Sequence, residues 1–435
     1  MSLLTFLGCR QRRQPFAEPR SAGRERKAAR GVSEQFIGLL LGTEADWPAA
    51  FEALVARLGP VDGVEYRTER IVNEPFDLRY KPRYGLVIDR LAWWYDLPRA
   101  WLKKISLMDD VYLLNNPFTF QAMEKHSAYC ALMRLGIRVP TTWLIPHKVP
   151  PDNPRFQPTA ERYNAAFDLG EIGEHVGYPL FMKPFDGGQW VGVSRVGSPA
   201  ELRRRYDESG ERLMHLQTAL EGFDVFVRSL SIGAETTAMW FEPARPMHDR
   251  YQVKHDFLTP ALGEEILTIS RLVNAFFRWE FNSCETIVKD GVAYPIDYAN
   301  ASPDVALTSL HYYFPWAIKA LVRWSVFCLA TRRTMQINQN SRSYFVVGDR
   351  DDLTYEQKLR EYRNLADAYF HVDDYEEFCA AHLAHLDEVA HAWFTSPEFD
   401  DLLVQTVVST FPPHEHEQFV AHYRGLLDAW ARDNS

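Results

Sequence analysis

One stretch constrains the fold of this 435-residue chain more than any other: Tyr178-Pro-Leu-Phe-Met-Lys-Pro-Phe-Asp-Gly-Gly-Gln-Trp-Val-Gly-Val-Ser-Arg-Val196. A short apolar run ends on a single lysine, Lys183. A proline and a two-glycine loop follow, and then a second β-type run, Val191 to Val196. The pattern reads as a strand, a hairpin tip and a return strand, with the tip free to lie over a ligand. Gly187 and Gly188 carry no Cβ, so their backbone N–H groups can come close to an anion. Lys183 sets a full positive charge beside them, which suits a polyphosphate. On its own the stretch also fits a plain Gly-Gly hairpin with a stray lysine, the commoner situation.

Length and composition set the frame. At roughly 150 residues per domain the chain implies two or three domains. Hydrophobic content of 46% and aromatic content of 14% supply ample core. A net charge of −10 argues against a nucleic-acid-binding surface spread over the whole protein. The charge is uneven. Residues 1–30 hold eight Arg/Lys and two Asp/Glu, a surplus of six, so the remainder carries −16. The lead-in, 1–32, is expected to be basic and disordered. Its apolar start precedes the arginines, the reverse of a secretory signal, and a targeting segment is the alternative. Cys9, Cys130, Cys284, Cys328 and Cys379 are odd in number, scattered and free of CxxC pairs. They read as reduced thiols of a cytoplasmic protein. No apolar run reaches ~18 residues, so no membrane span is expected.

From Ser33 strand and helix patterns alternate. Phe36 to Leu41, Val64 to Ile71, Tyr84 to Asp89 and Val111 to Leu114 read as strands; Trp47 to Leu58 and Pro98 to Leu107 read as helices. That alternation implies a small, mainly parallel α/β layer over 33–117. Phe120 to Leu135 reads as one helix stopped by Gly136, and the proline-rich Pro146 to Pro158 as a loop. Ser198-Pro199 opens a helix with an N-cap and a proline at its first position. Leu213 to Leu220, Val225 to Ile232 and Thr237 to Phe241 read as strands, and Glu264 to Trp279 as a helix. Thr286 to Asn300 reads as a hairpin around Asp290-Gly291. Beyond Pro303 the pattern is almost wholly helical and rich in aromatics and histidine.

Four elements then stand in order: Lys125 on a helix, Lys183 before a glycine loop, a polar-then-acidic segment from Gln217 to Asp224, and an acidic hairpin ending at Asn300-Ala-Ser-Pro303. Their order and spacing resemble the ATP-grasp superfamily, which includes D-alanine–D-alanine ligases and ribosomal-protein glutamate ligases. The resemblance implies a mixed α/β (α+β) chain: a preceding Rossmann-like α/β domain at 33–117, an ATP-grasp domain at 118–305 and an all-helical C-terminal extension at 306–435. By position, Lys125 and Lys183 resemble the two lysines that contact ATP phosphates, and Asp186 to Val191, with Gly187 and Gly188, resembles the flap above them. Gln217 falls where the family faces the adenine amino group. Thr218 and Leu220 fall on the backbone that reads the adenine edge, and Asp224 on the ribose-binding acid. The chemistry is consistent: an amide carbonyl accepts from an amine, and a carboxylate accepts from two hydroxyls.

The metal end departs from the family pattern. Mg²⁺ takes hard oxygen ligands and bridges carboxylates to phosphates. The resemblance places an acid at Glu285 and an amide at Asn300, but the expected second acid falls on Tyr298, with Asp297 one residue away. With a two-residue turn at Asp290-Gly291, Glu285 faces Ile296 and shares its sheet face with Tyr298, and Asp297 points away. A three-residue loop, or a bulge for which Pro295, unable to donate to a ladder, leaves room, brings Asp297 back beside Glu285. Glu285 and Asn300 are the expected ligands and Asp297 the conditional one; a single-metal or degenerate site is the alternative.

Lys254 and Arg228 are expected near the transferred phosphoryl group, again by resemblance; each also reads as an ordinary surface charge. His382 and His385 are three apart, a spacing that can ligate metal, but they more readily read as solvated helix faces. Tyr312, Tyr313, Phe314, Trp316, Trp324 and Phe327 are expected to pack a helical appendage. The resemblance implies an ATP-dependent carboxylate–amine or carboxylate–thiol ligase using ATP with Mg²⁺ or Mn²⁺. The expected substrates are a small-molecule or peptide carboxylate and an amine acceptor; the cysteines, the net charge and the apolar run lengths add the expectation of a cytoplasmic protein without nucleic acid or membrane, and a homo-oligomer is a further expectation. A small-molecule kinase and a non-catalytic nucleotide-binding protein are the alternatives.

Overall fold

The computed structural model describes residues 33–119, 124–150, 152–155, 158, 162, 166–188, 190–300 and 302–435. The lead-in at 1–32, residues 120–123 of the expected Phe120 helix, and Gln189 of the glycine loop lie outside them.

Strands β1 (Ser33–Leu40), β2 (Val64–Arg70), β3 (Tyr84–Asp89) and β4 (Tyr112–Leu114) form a parallel sheet in the order β2-β1-β3-β4. Helix α1 (Asp46–Leu58) crosses from β1 to β2, and α2 (Asp96–Met108) crosses from β3 to β4. Trp47, Phe51, Leu54, Val55 and Leu58 recur on one side of α1 and are all buried, which is why that segment is a helix on this sheet.

A second sheet is antiparallel, with β5 (Thr142–Ile145), β6 (Leu180–Pro184), β7 (Ser194–Val196) and β8 (Met214–Thr218) ordered β5-β8-β6-β7. Helix α3 (Lys125–Arg134) precedes it in the chain, and α4 (Leu169–Val176) and α5 (Pro199–Glu208) back it. Ser198 caps α5 and Pro199 opens it, as the sequence indicates. The return strand is shorter than expected. Gly187, Trp190 and Gly192 take positive φ, so the backbone turns there, and only Ser194–Val196 pairs with β6.

The third sheet, also antiparallel, runs β11-β10-β9-β12-β13, from β9 (Val225–Ile232), β10 (Glu235–Phe241), β11 (Tyr251–Gln252), β12 (Phe281–Lys289) and β13 (Val292–Asp297). Helix α6 (Pro260–Phe277) covers one face, where Ser229 and Ser270 hydroxyls meet at 2.6 Å. It begins before the expected Glu264, because Thr259 caps it and Pro260 stands in its first turn.

The C-terminal region is helical, as expected, and it shares the main core. After a single turn at Leu307–Leu310 come α7 (Phe314–Ala330), α8 (Ser341–Gly348), α9 (Tyr355–Phe370), α10 (Val372–His382), α11 (Leu386–Phe394), α12 (Pro397–Thr410) and α13 (His416–Asp433). Helix α7 is apolar on nearly every side, so it must be enclosed. It packs on α1, β3 and β9, and one continuous core joins Ile37 and Leu86 of the parallel sheet to Phe281, Trp324, Phe370 and Trp430. The small antiparallel sheet keeps a separate core around Leu180, Met182, Leu202 and Leu216.

A buried carboxylate ties the large unit together. Glu280, 1% exposed, accepts from Tyr112 Oη at 2.6 Å, Tyr369 Oη at 2.8 Å and Trp324 Nε1 at 2.8 Å. Arg333 approaches it at 3.7 Å and donates to Tyr112 Oη at 2.6 Å. Parallel sheet, large antiparallel sheet and tail thus share one hydrogen-bonded node.

Candidate active site

Strand alternation assembles the first half of the site. Lys183 pairs with His215, Phe181 with Gln217 and Thr142 with Gln217, so all five side chains share one face of the small sheet. Leu180, Met182, Met214 and Leu216 fill the core behind them. Gln217 is 1% exposed and fully oriented: its Nε2 donates to Thr142 Oγ1 at 2.8 Å and its Oε1 accepts from Lys183 Nζ at 2.7 Å. Burial lowers the Lys183 ammonium to about 8; Asp297 pulls it up and Lys125 pushes it further down.

Lys125 is the first residue of α3, whose N-cap Glu124 accepts from the Ser127 backbone N–H at 3.3 Å. Its Nζ donates to the Gly187 carbonyl at 2.8 Å and lies 3.2 Å from Asp297 Oδ2. It therefore joins the glycine loop of one sheet to the acidic hairpin of the other. Gly187 has φ +89°, and a Cβ on Gly188 would stand 4.0 Å from the Trp94 ring, so the loop tip comes down against the parallel layer.

The segment after β8 leads to the acidic end. Thr218 Oγ1 donates to the Val176 carbonyl at 2.7 Å. Leu220 packs on the main core, and among the described residues its backbone N–H and carbonyl have no protein partner. Asp224 is exposed; its backbone N–H donates to Val288 O at 2.8 Å and its Oδ2 accepts from Gly291 N at 3.3 Å, holding it at the tip of the β12–β13 hairpin.

That hairpin carries the second half. Thr286 opposes Pro295 and Val288 opposes Ala293, as a two-residue turn requires, but the register then shifts and Glu285 opposes Asp297. Ile296 is the extra residue, next to the proline that cannot donate. The bulge puts both carboxylates on one face and turns Tyr298 inward. Tyr298 is 1% exposed, packs edge-on to Tyr129 at 5.5 Å and, among the described residues, leaves its hydroxyl without a partner. A second carboxylate thus stands opposite Glu285 at Asp297, one residue before Tyr298.

On the neighbouring strand Arg228 lies opposite Glu285, with Nη1 3.5 Å from Oε1. Burial opposes its charge, yet Tyr251, Glu285, Asp304 and Asp297 together hold its pKa above the ordinary value. Burial pushes the Glu285 carboxyl up, against the pull of Arg228. With its amide oxygen turned toward Arg228, Asn300 accepts from Nη2 at 3.2 Å and from Ser283 Oγ at 3.0 Å. Lys254 is the residue that the structure does not bring here. Its ammonium sits 3.5 Å above the ring of Trp240, and Trp240 alternates with Met239 and Phe241, so it occupies the sheet face opposite Arg228.

A histidine pair escaped the sequence reading. His215 packs parallel to His126, with Nε2 3.3 Å from its Nδ1, beside Lys183 on the same face. Burial, then His126, Lys183 and Lys125, hold His215 down at about 3, so it stays neutral. Its place two residues before Gln217 on a strand was the available signal. His382 and His385 do not share a helix: His382 ends α10 beside Asp62, and His385 Nε2 lies 2.9 Å from Leu58 O.

Glu285, Asp297 and Asn300 can supply hard oxygen donors to one metal ion. Among the described residues no group of three or more His, Cys, Asp or Glu stands ready to hold a metal unaided. Two carboxylates and an amide fit a Mg²⁺ ion that completes its shell with phosphate oxygens and water.

No family model matches the chain, and no curated protein does. Among solved structures, a RimK domain ATP-grasp protein from Sphaerobacter thermophilus DSM 20745 is similar at 14% identity and TM-score 0.46, over 66% of this chain and 96% of that one. D-alanine–D-alanine ligase from Bacillus anthracis complexed with ATP is similar at 14% identity and TM-score 0.46, over 68% and 97%. A second structure of that ligase is similar at 14% identity and TM-score 0.47, over 69% and 100%.

Proposed function

We propose that the protein is an ATP-dependent ligase that joins a carboxylate to an amine or thiol through an acyl phosphate. The observation that carries this reading is the meeting of two sheets: Lys125, Lys183 and Gln217 on one side, and Glu285, Asp297, Arg228 and Asn300 on the other, bridged by the Lys125–Asp297 pair. Cations and hard oxygen donors concentrated on facing surfaces suit a nucleoside triphosphate with a divalent cation.

In this reading the Gln217 carbonyl accepts from the adenine amine and the open backbone of Leu220 reads the ring edge. Half-buried Phe181, with Trp190 against it, offers an apolar bed for the base. Asp224 accepts from the ribose hydroxyls. Lys125 and Lys183 neutralise the phosphates while Gly187 and Gly188 close over them. Glu285, Asp297 and Asn300 would hold Mg²⁺, which neutralises phosphate charge. Arg228 stabilises charge on the transferred phosphoryl group. The substrate carboxylate attacks the γ-phosphorus, ADP leaves, and an amine or thiol then attacks the acyl carbon and expels phosphate. Positioning and charge stabilisation lower both barriers. The cytoplasm is the proposed setting.

The test is incubation with MgATP, hydroxylamine and pooled carboxylic acids beside a Lys183→Ala control. Lys183-dependent ADP together with a hydroxamate supports the ligase. ADP with a phosphorylated pool member, and no hydroxamate, replaces it with a kinase.

A further inference from the structure

The two lysines of the proposed phosphate site belong to different bodies. Lys125 opens α3, whose Ala128, Tyr129 and Leu132 are buried in the main core. Lys183 lies near the end of β6, in the small sheet with its separate core. Among the described residues the small sheet pairs with neither of the other two sheets, so the distance between the lysines is set through side chains.

An aromatic stack fills this junction. His126, the residue after Lys125, faces His215, the residue opposite Lys183, with ring centroids 5.5 Å apart and planes within 16°. Phe185 stacks on His215 at 6.0 Å and lies 5.7 Å from His126. Tyr129 meets His215 edge-on at 5.4 Å and donates to the Ile296 carbonyl at 2.9 Å, at the bulge that places Asp297. Inside the stack lies one polar contact, His215 Nε2 to His126 Nδ1 at 3.3 Å.

The direction of that contact follows from burial. His215 is 1% exposed and neutral, and among the described residues its Nδ1 has no partner. A neutral imidazole carries one N–H. Buried orphan donors are rarer than orphan acceptors, so the proton sits on Nε2 and is donated to His126 Nδ1. His126 then carries its own proton on Nε2, 3.7 Å from Cys130 Sγ.

We infer that the His126–His215 hydrogen bond is a positioning element of the nucleotide site, setting Lys125 and Lys183 at the separation that a triphosphate bridges. The inference rests on the nucleotide reading proposed above. The bond joins the neighbour of one lysine to the residue opposite the other, so α3 cannot slide along the small sheet without breaking it. In the nucleotide complex Lys125 turns from the Gly187 carbonyl to phosphate oxygens, and the imidazole bond remains as a tie between the two bodies. Both histidines act through the lysines and are positioning residues.

Calorimetric titration of the full chain with MgATP, and with adenosine, which lacks the phosphates, tests this. His126→Phe keeps a ring in the stack and strips the His215 N–H of its acceptor. MgATP affinity is expected to fall about 10-fold, the scale of one unsatisfied buried donor, with adenosine affinity unchanged. His126→Asn places an amide oxygen near the same point and is expected to bring MgATP affinity back to within ~3-fold of wild type. In a Lys125→Ala background, His126→Phe is expected to add less than ~2-fold, because the lysine that it positions is gone. Unchanged MgATP affinity in His126→Phe, an equal loss for adenosine, or full additivity with Lys125→Ala overturns the inference while leaving the nucleotide reading in place. A wild-type protein that does not bind MgATP overturns the nucleotide reading and the inference with it.

Discussion

Lys125 Nζ lies 3.2 Å from Asp297 Oδ2 and 2.8 Å from the Gly187 carbonyl, so one ammonium spans the two antiparallel sheets at the point where their charged faces meet. Asp297 is there because of a one-residue bulge beside Pro295. In the proposed site this acid serves the cation in the absence of nucleotide and the metal in its presence.

Asp297→Asn keeps the shape and removes the charge. Mg²⁺-dependent ATP binding is expected to weaken about 10- to 100-fold, the scale of losing one charge-assisted contact. A Mg²⁺ titration of ATP binding measures it, and an unchanged midpoint would remove Asp297 from the metal site.

Tyr298→Phe deletes a buried hydroxyl that has no partner among the described residues. An unsatisfied buried hydroxyl costs about 1–3 kcal/mol, so the variant is expected to match or exceed wild-type stability, with Mg²⁺ dependence untouched. A fall in metal affinity would return the missing acid's role to this position.

Lys183 sits at about 8, below an ordinary lysine, chiefly through burial. Its charge is present below pH 8 and lost as pH rises through that value. ATP affinity in the mildly alkaline range is expected to fall with a one-proton dependence, from a midpoint that bound phosphate shifts upward. Lys183→Arg, which stays charged, is expected to abolish the fall. A pH series of calorimetric titrations on both proteins decides this.

Glu280→Ala leaves Arg333 without its buried carboxylate and unpairs Tyr112, Tyr369 and Trp324. Removing one partner of such a network costs about 3–5 kcal/mol. Urea unfolding is expected to show that loss as one transition covering parallel sheet and tail together. Two separate transitions would mean that the tail is an independent unit after all.

Much of this was legible in the sequence because it rests on local pattern. The spacing of Trp47, Phe51 and Leu58 announced α1, and Ser198-Pro199 announced the start of α5. The Lys183–Gly188 run gave a strand and a loop. The metal hairpin was legible only as a choice, since parity depends on a bulge that no residue type compels; Pro295 permits the shift without requiring it. Lys254 was misplaced because its segment follows a two-residue strand, too short to fix a face. That the tail is helical is legible in its pattern, but where it packs is not, because helix periodicity reports which side is apolar, not what covers it. Only long-range contacts, such as Trp324 on Glu280, show that the tail belongs to the central core.

The most direct measurement is calorimetric titration of MgATP into the wild-type protein, Lys183→Ala and Asp297→Asn. The expected result is saturable, Mg²⁺-dependent binding to wild type that each substitution weakens at least ~10-fold, since each removes a charged contact from the same ligand. Absence of binding to the wild type, or binding that neither substitution alters, would contradict a shared nucleotide and metal site between the two sheets.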